Sequence, residues 1–338
     1  MIVDLFCGVG GASVGIRAAL QRSPTVSVDF DAEPLALHAT NFPYSAHTHA
    51  DVSTLNLSDF AREHIDVLWL SPPCPDFSRA SAGRGQDPHR RQLADVTVEW
   101  ARTLGPTLIC LENVEQFKHW GPYSPRTQRT AGNYEGDSFR RMILKLRQLG
   151  YMVEYRILSA DDYGVPTIRR RLYLVAKFGG RDIRWPEETT QRKTMLDVID
   201  WTVRGQHAFT RPRALGEATA ARVRHGLAHL VTDAVPGFIV PVNNGGTSGQ
   251  ARSLALPSLT LTASPSGGCF ALCHVVDGEP YFRMLTVREN YRLQGFPASF
   301  ITDLLPDGRP ATAKAAIRGA GNAVCPPMAE QIVRLNAE

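Results

Sequence analysis

The sequence predicts an α/β protein built on a doubly wound, mostly parallel sheet, with a second, smaller and irregular domain. Two observations carry this. Through the first half of the chain, short apolar runs alternate with polar turns and helical periodicity, the βαβ pattern of a parallel sheet. From about Trp185 the pattern changes: Pro, Gly, Thr and Arg rise and periodicity weakens. The expected division is therefore 1–185 with 283–338 as one domain and 186–282 as the other.

The first strand, Ile2-Val3-Asp4-Leu5-Phe6, runs into the turn Cys7-Gly8-Val9-Gly10-Gly11 and a helix over 12–21. Strand, glycine turn and helix form a context in which backbone amides cradle a polar ligand. The spacing is not G-x-G-x-x-G, because position 13 is Ser. Val26-Ser27-Val28-Asp29-Phe30 is the second strand, ending in an acid about 20 residues after the glycines, as a ribose-binding carboxylate would. A helix N-cap is the other reading of Asp29. A third short strand leads to Asp51 and Val52.

The apolar run Ile65-Asp66-Val67-Leu68-Trp69-Leu70 predicts a buried strand that ends at Ser71-Pro72-Pro73-Cys74-Pro75. Prolines on both sides of Cys74 fix φ and remove donors, so the thiol is held on a stiff turn at the ligand-binding end of a strand. A buried structural cysteine is the alternative. The Gly- and Ser-containing stretch 79–92 holds Arg79, Arg84, Arg90 and Arg91, a composition suited to phosphate contacts and to a lid over a site. A helix over 93–104 and the strand Thr107-Leu108-Ile109-Cys110-Leu111 follow. That strand ends in Glu112-Asn113-Val114, on the same sheet edge as Cys74. After a polar loop over 118–137 come a helix over 138–149 and two strands, 153–158 and 172–176. Arg169, Arg170 and Arg171 enter the second of these, and buried arginines require anionic or hydrogen-bonding partners. Helices are expected over 218–231, 287–293 and 328–335.

A chain of 338 residues with 43% hydrophobic and 21% charged residues is ordinary for a globular protein with a substantial core. No apolar run reaches membrane-spanning length, and the first strand leaves no room for a signal peptide, so no membrane partner and a cytoplasmic location are expected. Six cysteines without disulfide rhythm agree with a reducing compartment, and Cys269 and Cys273 lack a second pair for a metal site. A net charge of +4 permits a nucleic-acid partner without requiring one.

Six stretches together resemble the DNA cytosine-5 methyltransferase family, in that family's order and over nearly the whole chain. They are Asp4-Leu5-Phe6-Cys7-Gly8-Val9-Gly10-Gly11, Pro72-Pro73-Cys74, Glu112-Asn113-Val114, Arg169 with Arg171, Arg288-Glu289 with Arg292-Leu293-Gln294-Gly295-Phe296-Pro297, and Gly321-Asn322-Ala323-Val324. The chain is also similar to phage and prophage members.

The resemblance implies a Rossmann-like methyltransferase fold, S-adenosyl-L-methionine as cofactor, and cytosine in double-stranded DNA as substrate. Cys74 would be the nucleophile adding to C6 and Glu112 the acid at N3, a role that requires a raised pKa. Arg171 would contact O2 with Arg169 in support, and Asn113 would orient the Cys74 turn. Phe6, Gly8, Val9 and Gly11 would surround the methionine part of the cofactor. Asp29 would hold the ribose, Phe30 the adenine face, and Asp51 with Val52 the adenine edge, with Pro73, Leu93 and Asn322 completing the pocket. No metal is required. The base must be flipped out of the duplex to reach Cys74, and the 186–282 domain would read the major groove.

Two departures stand out: Thr167 where Gln is frequent in the family, and Ala323 where Ser is common. Many members begin with a helix before the first strand, so the C-terminal helix is expected to cover that place. A monomer is expected. The residues do not specify a recognition sequence or a companion restriction endonuclease. A tRNA cytosine-5 methyltransferase is the nearest alternative, and the roughly hundred residues before the closing motifs argue against it. A catalytically silent DNA-binding relative is countered by intact Cys74, Glu112 and Arg171.

Overall fold

The computed structural model describes residues 1–73, 95–124, 129–130, 134–180, 182–242, 250–263 and 270–337. Cys74, Leu93 and the arginine-bearing stretch between them lie outside the described residues.

The chain divides into two compact units. The first comprises Met1–Ser159, Arg170–Glu187 and Val324–Glu338, the second Ala160–Arg169 and Glu188–Ala323. The chain passes between the units after Ser159, Arg169, Glu187 and Ala323. The second unit, however, also takes in 160–169 and 283–323, which the sequence reading grouped with the first.

In the first unit, β1 (Ile2–Leu5), β2 (Val26–Asp29), β3 (Ala46–His49), β4 (Val67–Leu70) and β5 (Leu108–Asn113) form a parallel sheet in the order β3-β2-β1-β4-β5. The short pair β6 (Tyr123–Ser124) and β7 (Arg129–Thr130) stands apart. β8 (Tyr151–Ser159) and β9 (Arg170–Phe178) complete the sheet, β9 antiparallel to both β5 and β8. Every residue of β1, β4 and β5 is buried. Strands covered on both faces read as continuous apolar runs, which is why these three were legible.

The intervening helices are α1 (Gly11–Leu20), α2 (Ala32–Asn41), α3 (Val96–Leu104) and α4 (Asp137–Gln148). Phe139, Met142, Ile143 and Leu146 of α4 are buried at i, i+3, i+4 and i+7, a single apolar stripe. Sequence periodicity did not reveal α2. It begins at the N-cap Asp31, whose carboxylate accepts from Glu33 N, carries Pro34 in its first turn, and buries only Leu35, Leu37 and His38.

The second unit is not irregular. A five-stranded antiparallel sheet runs through it in the order β10 (Gln206–His207), β14 (Glu279–Met284), β13 (Phe270–Val276), β11 (Gly237–Pro241), β12 (Arg252–Ser253). β10 and β12 are two residues long, and β11 and most of β13 are buried on both faces, so no polar–apolar alternation marks them. Helix α5 (Glu217–His229) lies on β11, its Val223 packed with Phe238 and Val240. Helix α6 (Val287–Leu293) opens on a reciprocal cap between Thr286 and Glu289. Helix α7 (Ala313–Asn322) is Ala-rich, which hid its period.

Helix α8 (Pro326–Asn336) returns to the first unit and lies along α1, where Arg334 donates to the Ala18 carbonyl at 3.1 Å. It packs against the helix that follows β1.

Glu289 is fully buried and accepts from Arg283 through two bonds of 2.7 Å, from Thr286 N and from Asp200 N. Removing one partner of such a pair leaves an uncompensated buried charge. We expect Arg283→Met to lower the unfolding free energy by about 3–5 kcal/mol, read by urea denaturation. A loss below about 1 kcal/mol, the range of exposed pairs, would contradict this description of the core.

Candidate functional site

In a parallel sheet whose strand order reverses between β1 and β4, the carboxyl ends of neighbouring strands leave a crevice. The residues singled out in the sequence follow those ends. Phe6 follows β1 with φ +59°, a left-handed conformation that costs a non-glycine residue about 1 kcal/mol or more. Gly8, at φ +53°, has open space where a Cβ would stand, so the turn presents bare backbone. Gly11 is glycine for another reason: a Cβ there would lie 2.1 Å from the Val324 carbonyl oxygen, so the start of α1 and the chain entering α8 touch through backbone. Val9 and Val52 are buried.

Asp29 ends β2 and ties the two turns together. Its carboxylate accepts from Gly8 N and from Asp31 N, both at 2.8 Å, and burial pushes its pKa up. Asp31, not Asp29, caps the following helix. Beside it the Phe30 ring is 73% exposed, unusual for a large aromatic side chain at a strand end. The Phe30 carbonyl oxygen lies 2.8 Å from His49 Nε2, at the end of β3. Asp51 follows β3 and accepts from the backbone N and hydroxyl of Ser53. An open backbone turn, a backbone-held carboxylate and an exposed ring at adjacent strand ends fit an adenosine-bearing ligand.

On the other side of the switch point, Ser71 N donates to the Leu5 carbonyl at 3.2 Å and leads into Pro72 and Pro73. Asn113, buried at the end of β5, donates through Nδ2 to the Pro72 carbonyl at 3.1 Å. That bond fixes the backbone two residues before Cys74. The preceding side chain, Glu112, pairs with Arg171 Nε at 3.1 Å, and both side chains are largely buried. Arg171 reaches it from β9, the strand antiparallel to β5. Arg169 makes a separate contact: it is buried and donates to the Gly321 carbonyl at 3.0 Å within the second unit. Asn322 follows Gly321 and is exposed, also in the second unit. Thr167, at the position of the departure, donates to the Leu259 carbonyl at 3.4 Å.

One polar chain beneath the glycine turn escaped the sequence reading. Ser13 donates to Asp4 Oδ2 at 2.6 Å and meets His38 Nε2 at 2.9 Å, and His38 Nδ1 meets His47 Nε2 at 2.8 Å. Asp4, Ser13 and His38 are fully buried. The serine standing at the third glycine position of the dinucleotide pattern was the available signal. Burial pushes the Asp4 carboxyl up to about 7 and His38 down to about 3. The folded chain therefore favours neutral forms of both.

The family described as C-5 cytosine-specific DNA methylase matches residues 1–211 and 252–335. Type II methyltransferase M.Eco47II of Escherichia coli is 28% identical over 316 residues, covering 89% of this chain and 71% of that protein. Type II methyltransferase M.NgoBI of Neisseria gonorrhoeae is 29% identical over 299 residues, covering 88% and 83%. Among solved structures, a putative DNA modification methyltransferase encoded within an E. coli prophage superposes with a TM-score of 0.66 at 22% identity, covering 98% of this chain and 97% of that one. A Spodoptera frugiperda DNMT2 variant gives 0.68 at 17% identity, covering 100% and 99%.

The Asp4–His38 chain has a testable pH signature. Asp4 holds a proton in the folded state that the unfolded chain releases above about pH 4, so alone it makes stability fall as pH rises from 4 to 7. His38 withholds a proton that the unfolded chain takes up below about pH 6.5, so alone it makes stability rise as pH goes from 3 to 6.5. In wild type these slopes oppose each other between pH 4 and 6.5. We expect Asp4→Asn to gain stability with rising pH over that window relative to wild type, and His38→Asn to lose it, each by up to about 1.4 kcal/mol per pH unit. Denaturant titrations at several pH values check this, and slopes equal to wild type in both variants would contradict it.

Proposed function

The chain belongs to the C-5 cytosine-specific DNA methylase family and is a DNA cytosine-5 methyltransferase; from that premise we propose that it methylates C5 of a cytosine flipped out of a specific duplex sequence, with S-adenosyl-L-methionine as donor and a transient bond from Cys74 to C6. The observation that carries the reading is the hydrogen bond from Asn113 to the Pro72 carbonyl. It ties the end of the strand bearing the Glu112–Arg171 pair to the turn entering Cys74.

C5 of cytosine is too electron-poor to react unaided. Attack of the Cys74 thiolate on C6 breaks the ring's conjugation and raises electron density at C5. Glu112 is suited to share a proton with N3 as negative charge develops there, and Arg171 to hold O2 while orienting Glu112 through its Nε contact. Loss of the C5 proton with departure of the thiolate restores the aromatic ring. When bound, S-adenosyl-L-methionine supplies an electrophilic methyl carbon on a sulfonium. Phe6, Gly8, Val9 and Gly11 would line its methionine part, Asp29 would accept from the ribose hydroxyls, Phe30 would stack on the adenine, and Asp51 with Val52 would border it. Pro73, Leu93 and Asn322 complete that assignment.

A base inside a duplex cannot reach a side chain at the sheet edge, which supports extrusion of the nucleotide. Relatives named as type II methyltransferases support a role in DNA modification. Among the described residues no helix is long and apolar enough to cross a membrane; a cytoplasmic, monomeric enzyme is the reading proposed.

Methyl transfer from labelled S-adenosyl-L-methionine to mixed-sequence duplex DNA tests the assignment. Cys74→Ala should fall below detection, and Glu112→Gln should lose about 10²–10⁴-fold in kcat, the usual worth of positioned acid–base catalysis. Wild-type transfer to tRNA but not to DNA would overturn the substrate, and a Glu112→Gln variant with wild-type kcat would overturn the role of Glu112.

A further inference from the structure

The second unit carries a cavity of about 340 Å³ on the side of its sheet where α5 begins. Arg211, Arg213 and Arg222 line it, with Thr219 on the first turns of α5 and Phe282 of β14 as its apolar wall. No carboxylate is among the described lining residues; Glu217, the acid in the first turn of α5, is exposed and not part of the wall. Among the described residues none of the three arginines forms an ion pair. Three like charges around one concavity repel one another unless an anion joins them.

The side chains are held for such a guest. Arg222 is anchored by donating to the Pro241 carbonyl. The Arg211 guanidinium lies 5.6 Å from the Phe282 ring centroid, and its Nε is buried with no hydrogen-bond partner. A buried donor left unmade costs about 1–3 kcal/mol, a cost that an arriving acceptor removes. The N-cap of helix α5 is Gly216, which has no side chain to cap the first N–H groups, so those donors and the positive end of the helix add to the same field.

We propose that this cavity binds one phosphate of the DNA backbone, so that the second unit grips duplex DNA independently of base sequence. The inference rests on the DNA reading of the function and adds a contact that positions rather than reads. Arginine forks match phosphate geometry, and three guanidinium groups around one concavity suit an anion better than a neutral base.

The test is binding of the full-length protein to two unrelated 24-base-pair duplexes by fluorescence anisotropy between 50 and 200 mM KCl. Loss of one phosphate contact should reduce the slope of log K against log[salt] by about 0.9. We expect that reduction in Arg211→Gln/Arg213→Gln, with equal weakening on both sequences. Arg213→Gln alone should shift the slope in the same direction; its side chain is exposed and makes no bond among the described residues, so the fold is not at risk. Arg211→Lys should retain more binding than Arg211→Gln.

Wild-type binding with an unchanged slope in the double variant would overturn the cavity assignment and leave the methyltransferase reading standing. No wild-type binding to either duplex would overturn the sequence-independent grip, whereas the methyltransferase reading is decided by the methyl-transfer assay above. A third arm uses inorganic phosphate. If phosphate raises the melting temperature of wild type but not of the double variant, while the DNA slope stays unchanged, the cavity is a free-anion site and the DNA-backbone assignment fails.

Discussion

The parallel pairing of β1 with both β2 and β4 is the constraint from which the candidate site follows. Because the chain leaves β1 toward β2 on one side and resumes at β4 on the other, the turns after these strands open at one edge of the sheet. The polar backbone groups exposed there need partners, and the chain supplies them locally. Asp29 accepts from Gly8 N, Asn113 donates to the Pro72 carbonyl, and Ser71 N donates to the Leu5 carbonyl. These bonds join strand ends far apart in sequence, so each turn is held by a neighbour as well as by its own strand. A ligand meeting this edge finds groups already oriented, and the ordering cost of binding is correspondingly lower.

Beneath the same edge, the interior is not purely apolar. Asp4, Ser13 and His38 form a buried chain that reaches the half-buried His47. Burial favours neutral forms on both end groups, so the unit carries hydrogen bonds without buried net charge. The chain connects β1, α1, α2 and β3 at the level of the glycine turn. Rigidity there complements the left-handed backbone at Phe6, which persists only because its surroundings determine it.

How much of this could be read from residues alone depended on the kind of signal. β1, β4 and β5 were legible because burial on both faces gives unbroken apolar runs, and α4 because its stripe is regular. The strand-end placement of Glu112 and Asn113 followed from the β5 run. The sheet of the second unit was not legible: β10 and β12 span two residues each, and β11 lacks alternation. Helix α7 was hidden by its small residues, and α2 by Pro34 and a narrow buried face. The family resemblance gave Arg171 the base contact and Arg169 a supporting place beside it. Yet Arg171 meets Glu112 while Arg169 meets the Gly321 carbonyl, because chain direction and unit boundary separate them. The Asp4–His38 chain depends on contacts up to 25 residues apart in sequence, with Ser13 just after the glycine turn as its one local signal.

The most direct test of the proposed chemistry uses duplex DNA containing 5-fluorocytosine, S-adenosyl-L-methionine, and wild-type protein beside Cys74→Ala. Fluorine at C5 cannot leave as a cation, so elimination of the thiolate is blocked once the methyl group has been transferred. The expected result is a denaturant-stable protein–DNA adduct that requires both the cofactor and Cys74. An adduct that persists in Cys74→Ala, or none with wild type on DNA it methylates when unfluorinated, would contradict Cys74 as the nucleophile.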